Sequence, residues 1–166
     1  MTRPVQFRDD NLTPLREVAL HEAAHTVIGC RFGLIPDYVT IVPDHECVGH
    51  VLWLPHIPCT REEWGARLYT AAAPAGLICL DGRSDWLSYG DSEHIERILP
   101  LCAPLTRDEL YSDVDRLVHV ELQTIFAVAR ALMRKKQITG QQVERVIRRV
   151  DHNAPAKRRA TRKGVH

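Results

Sequence analysis

No stretch of this chain approaches the ~20 consecutive apolar residues that a bilayer-spanning helix needs, and its start lacks an apolar secretory core. No Cys-x-x-Cys pair exists. The five cysteines (Cys30, Cys47, Cys59, Cys79, Cys102) are odd in number and scattered, which excludes a thiolate zinc knuckle and a disulfide scaffold. They read as free thiols in a reducing compartment, and the expected location is cytoplasmic. A Gly-x-x-x-x-Gly-Lys-(Ser/Thr) loop is missing too, so nothing here cradles the phosphates of ATP. There is no internal repeat. Net charge is also scarce: at +1, the balance argues neither for nor against a nucleic-acid partner.

What is present is an ordinary globular composition, 45% hydrophobic and 26% charged over 166 residues, enough for one domain with its own core. Residues 1–12 are polar and aperiodic and read as a flexible lead. Residues 13–150 carry the domain, and residues 151–166 read as a disordered tail. The tail's Lys157-to-Lys163 run is basic and reads as a solvated terminus.

Within the domain, Thr13-Pro14 caps a helix that runs to Cys30 and is stopped by Gly33 and Pro36. Residues 38–42 and 48–54 are rich in β-branched and aromatic types and predict two strands joined by a turn. Thr60 with Glu63 opens a second helix toward Leu80, with Pro74 as a kink or break. A short helix is expected around His94–Leu99. Thr106 with Glu109 opens a long one to about Lys136, and Gly140–Val150 forms the last. The fold class is therefore mainly α with a small β-sheet and a C-terminal helical bundle.

The most specific feature is His21-Glu22-Ala23-Ala24-His25. On a helix, residues four apart share a face, so both imidazoles reach one metal ion. Glu22 lies beside that face, where a carboxylate can take a proton from a metal-activated water. Two ligands, a general base and an open position are the parts of a zincin-like metallopeptidase helix. The plainer alternative is a helix carrying two histidines at that spacing by accident.

A catalytic zinc generally takes a third protein ligand. Asp85, Asp91, Glu93, His94, Asp113 and His119 all qualify chemically, and the residues alone do not choose among them. His45, His50 and His56, near the expected hairpin, are weaker candidates.

The segment His21–Gly29, then Val39-Thr40-Ile41-Val42-Pro43, then Gly49, resembles the peptidase domain of the FtsH family of ATP-dependent zinc proteases. Ala71–Gly82 is similar to that family's alanine-rich helix, and Ala129–Leu132 through Ile138-Thr139-Gly140 resembles its terminal helix pair. The resemblance spans roughly residues 14–150 and is strongest at the start. It implies a third ligand in a Gly-Ala-x-x-Asp segment, whose register falls on Gly90–Ile95 and puts His94 at the ligand position, with Asp91 as the alternative. Ala24 departs from the family's glycine. Gly76-Leu77 replaces an acidic pair, so a carboxylate that would orient a ligand is absent.

These readings converge on a zinc metalloendopeptidase standing without its own ATPase. Zinc is held by His21, His25 and His94, Glu22 is the catalytic base, and the substrates are peptides or unfolded proteins, with a separate ATPase or adaptor as a possible partner. The edge strand 48–54 would align an extended substrate. Two rival readings are a zinc-binding but non-hydrolytic regulatory or interaction module, and a nucleic-acid-associated protein acting through the basic tail. The second has no support in the charge balance of the rest.

Overall fold

A computed structural model describes residues 13–45 and 48–153. The elements are α1 (Thr13–Arg31), β1 (Pro36–Thr40), β2 (His50–Trp53), α2 (Arg61–Ala72), α3 (Ile78–Asp81), α4 (Tyr89–Ile98), α5 (Arg107–Lys135), β3 (Gln137–Thr139) and α6 (Gly140–Asn153). Short 3-10 turns at Ala73–Leu77 and Leu99–Cys102 complete the chain. The molecule is mainly helical with one small antiparallel sheet, as expected. The expected lead and nearly all of the expected tail lie outside the described residues, but α6 continues to Asn153, into the segment assigned to the tail. Among the described residues no helix is long and apolar enough to cross a membrane.

The helix starts follow local chemistry. Thr60 and Glu63 form a reciprocal capping box, and so do Thr106 and Glu109, each satisfying backbone donors that a helix start leaves bare. α2 ends at Ala72, and the Pro74 segment continues as a 3-10 turn, because proline has no N–H to give an α-helical ladder. The cap of α1 falls on residues outside the described set.

α1 and α5 pack as the central pair. The fully buried Ala19, Ala23 and Ala24 keep α1 slim, while α5 contributes Val114, Val118, Ile125, Val128 and Leu132. Ala24, the departure from the family pattern, is thus a core residue. At the far end of α1, Arg31 donates to Glu121 of α5 at 2.8 Å and to both oxygens of Asp151 of α6 at 3.0 and 2.8 Å. Gly76 lies hard against α5, where a Cβ would meet Val118 at 2.7 Å, and Leu77 is fully buried. The Gly76-Leu77 pair therefore serves packing.

The sheet runs β2-β1-β3, both pairings antiparallel. β3 is a strand the sequence reading did not anticipate, since three residues with one buried side chain, Ile138, show no measurable alternation. β2 is the edge strand on the other side. It is held over α1 by Trp53, whose ring occupies the space that a Cβ on Gly29 would need, at 2.3 Å. A mid-helix glycine costs about 1 kcal/mol of propensity, and here it admits the strand to α1.

Candidate metal centre

α1 presents His21, Glu22 and His25 toward a cleft of ≈ 910 Å³ bounded by α1, α2, α4, β2 and the loop before α4. His21 Nδ1 lies 2.8 Å from the Trp86 carbonyl, and His25 Nδ1 lies 2.7 Å from the Thr70 carbonyl. A carbonyl only accepts, so each Nδ1 must carry the proton, and each neutral ring then turns a bare Nε2 lone pair inward. The two Nε2 atoms are 3.1 Å apart.

The third member of this group is Asp91. Its Oδ2 is 3.1 Å from His21 Nε2 and its Oδ1 is 3.2 Å from His25 Nε2. Ligand atoms of His21, His25 and Asp91 lie within 4.8 Å of one another, the one such group among the described residues. Asp91 is aimed by its helix start. Ser88 caps α4, Asp91 is the third helical residue, and Asp91 Oδ2 accepts from Ser88 N at 3.0 Å and Ser88 Oγ at 2.7 Å. The carboxylate is thus fixed from one side and offered to the histidines on the other.

The structure groups Asp91, not His94, with the two histidines. α4 begins at Tyr89, five residues before the expected start, so His94 lies a turn beyond the ligand group, exposed, on the wall of the same cleft. Partial desolvation, then Arg97 and Arg67, hold the His94 imidazole below its ordinary value. Asp85 and Glu93 also line the cleft. Asp113 and His119 belong to α5 and do not, and Asp113 instead accepts from the Tyr69 hydroxyl at 2.8 Å. His50 lines the cleft beside Tyr38, and His56 pairs with Glu63 at 2.9 Å.

Glu22 is 5% exposed, with room for its side chain secured by Gly49, where a Cβ would press on the Glu22 Cγ at 3.1 Å. Burial raises the Glu22 pKa and outweighs the opposing pull of His25 and His21. Burial also opposes the charged form of His25, but its hydrogen bond to Asp91, with help from Glu22 and the Thr70 carbonyl, leaves the net shift upward. For Asp91 the desolvation is outweighed, when protons rather than a metal sit on the Nε2 atoms, by hydrogen bonds from His21 and His25, with Ser88 adding another, and these hold its carboxyl well below the usual range.

The donor set fits a divalent cation. Two lone pairs and a carboxylate converge with no cation among them, an arrangement that repels itself unless a proton or a metal sits between. Tetrahedral zinc with ligands at 2.0–2.1 Å requires donors roughly 3.3 Å apart, close to what is found. The orienting carbonyls of Trp86 and Thr70 have no signal in the sequence. Trp86 itself is pinned, with its indole N–H 3.2 Å from Asp81 and Arg83 stacked 4.8 Å from its ring. Asp91 did have a signal, Ser88-x-x-Asp91, the pattern of a helix start.

No protein-family model matches this chain, and no curated protein matches it either.

Proposed function

We propose that the cleft is the active site of a zinc-dependent peptide-bond hydrolase, with His21, His25 and Asp91 holding the metal and Glu22 as the proton carrier. The observation that supports it most is the convergence of three ligand atoms at 3.1–3.2 Å beside a buried carboxylate. The resemblance to the FtsH peptidase domain supports the same reading from the sequence.

A bound zinc ion would supply the Lewis acidity that acidifies water and polarises a carbonyl. The protein's own groups do the rest. The Nδ1–H donations to Trp86 and Thr70 keep both Nε2 atoms free to ligate, and the Ser88 bonds keep Asp91 in place. Glu22 takes the proton from attacking water at its carboxylate and delivers it to the leaving amine. Its burial disfavours the charged form and so favours carrying the proton between those two transfers. β2 pairs only with β1 among the described residues, and its Gly49-to-Val51 stretch borders the cleft, so an extended substrate backbone can hydrogen-bond along its free edge. Because that pairing needs extended chain, the substrates are peptides and unfolded proteins, and folded proteins require an unfolding partner.

The test is the Glu22→Gln variant, which keeps the shape of the side chain and loses its basicity. The expected result is about one zinc per chain, as in the wild type, with cleavage of an unfolded protein reduced by roughly 10³-fold. A second reading, a zinc-holding regulatory module without hydrolysis, draws on the orienting partners of both histidines being carbonyls rather than carboxylates, which leaves the ligands less basic. Zinc-loaded wild type that cleaves no unfolded substrate selects that reading.

A further inference from the structure

A second cleft of ≈ 560 Å³ adjoins the first, and the two share Leu34, Trp53 and Arg67 in their walls. Arg67 stands at the junction. It is on α2, one turn before Thr70, whose carbonyl orients His25. On a helix this puts Arg67 on the same face and about 4.5 Å further along the axis.

The guanidinium has five donors and few partners. One terminal nitrogen donates to the His56 carbonyl, while Nε is buried with no partner among the described residues. Its natural helical partner is Glu63, four residues earlier. That carboxylate is committed elsewhere, at 2.7 Å to the Cys59 N–H, 2.9 Å to the Thr60 N–H and 2.9 Å to His56. The capping box that starts α2 thereby leaves Arg67 a cation without an anion among the described residues. Of the other carboxylates in the first cleft, Glu17 and Asp85 face Arg83 at 3.2 and 3.7 Å, Asp91 faces the histidines, and Glu22 is buried beside them. Glu93 is exposed on α4, and Arg97 lies on the same helix, adding positive charge to this wall.

We infer that Arg67, flanked by Arg97, is a specificity residue that binds a carboxylate of the substrate while the peptide lies along β2. This rests on the reading of the cleft as a peptide site and names the class of peptide: one with an acidic side chain, or a terminal carboxylate, about four residues from the scissile bond. The spacing follows from the strand, since Gly49 borders Glu22 and Trp53, four residues on, lines the junction of the two clefts with Arg67, at roughly 3.3 Å per residue. Arginine and a carboxylate pair through two parallel hydrogen bonds, which gives both strength and register. The second cleft, with Phe32, Ile35 and Leu54 in its wall, then receives the neighbouring apolar side chain.

Binding can be measured apart from cleavage by fluorescence anisotropy on full-length, zinc-loaded Glu22→Gln protein. The probes are labelled peptides of Ala, Ser and Val carrying one Glu at successive positions, the same peptides with Gln, and each with a free or amidated C-terminus. The expected result is about tenfold tighter binding of one Glu register, or of the free C-terminus, over its neutral counterpart. Arg67→Gln should abolish that difference while leaving neutral peptides unchanged, and Arg67→Lys should keep part of it. Equal affinity for acidic and neutral peptides, a preference that survives Arg67→Gln, or no peptide binding at all would overturn the inference. An Arg67-dependent preference in a wild-type protein that cleaves nothing would uphold it and reject hydrolysis instead.

Discussion

Two polar clusters hang from the same helix, and they differ in what they lack. At one end of α1, Arg31 faces Glu121 and Asp151, a cation among anions, with its two terminal nitrogens donating at 2.8–3.0 Å and its buried Nε without a partner among the described residues. Near the middle, His21, His25 and Asp91 bring acceptors together with no Lys or Arg of the described residues paired to them. The first cluster pairs opposite charges and ties α1 to α5 and α6. The second is open, and its orienting bonds from Trp86, Thr70 and Ser88 hold it open at the cost of mutual repulsion. A cation ringed by carboxylates serves the fold, whereas acceptors gathered without one point to a ligand.

The comparison breaks first at Asp91. Asp91→Ala should lose stoichiometric zinc and all hydrolysis, at a cost of about 1 kcal/mol in helix capping. His94→Ala should keep zinc at wild-type stoichiometry, as measured by metal analysis after dialysis. The opposite pattern would restore the register that the family resemblance implies.

Arg31→Ala should do the reverse, lowering unfolding free energy by about 2 kcal/mol and leaving zinc affinity unchanged in the folded protein. The figure is taken below that of a fully buried pair because Asp151 is part exposed. Denaturant unfolding and a competitive zinc titration check the two halves. An equal loss of zinc affinity would mean that the two clusters are coupled through α1.

The smallest effect is in pH. In metal-free protein the raised pKa of His25 stabilises the fold fully below the unfolded imidazole value, and that contribution is lost as pH rises through the higher folded value. Asp91 is depressed, so its contribution holds above the unfolded carboxyl value and is lost only as pH falls through the folded one. Above the unfolded imidazole value of about pH 6.5, then, metal-free stability should decline with rising pH. With saturating zinc the slope should invert, because protons compete for the same Nε2 atoms. Thermal melts with and without chelator would show it, and parallel slopes would reject a metal on these histidines.

Much of this was legible in residues close together in the chain. The pairing of His21 with His25, and the place of Glu22 beside them, follows from helical period alone. The starts of α2 and α5 follow from Thr60/Glu63 and Thr106/Glu109, because a capping box is a contact between residues three apart. Ser88-x-x-Asp91 is the same device, and reading it would have moved the start of α4 and brought Asp91 forward. β3 was out of reach, since one buried residue in three carries no period.

The sequence by itself therefore determined the helices, the metal-facing pentad and a chain with no phosphate loop, because each depends on spacing of a few residues. Only the tertiary structure decided which carboxylate closes on the histidines, which carbonyls fix their tautomers, and that Arg67 is left without an anion. The physical reason is distance along the chain. His21 and Trp86 are 65 residues apart, His25 and Thr70 are 45 apart, and the bonds between them run to backbone oxygens that every residue type carries.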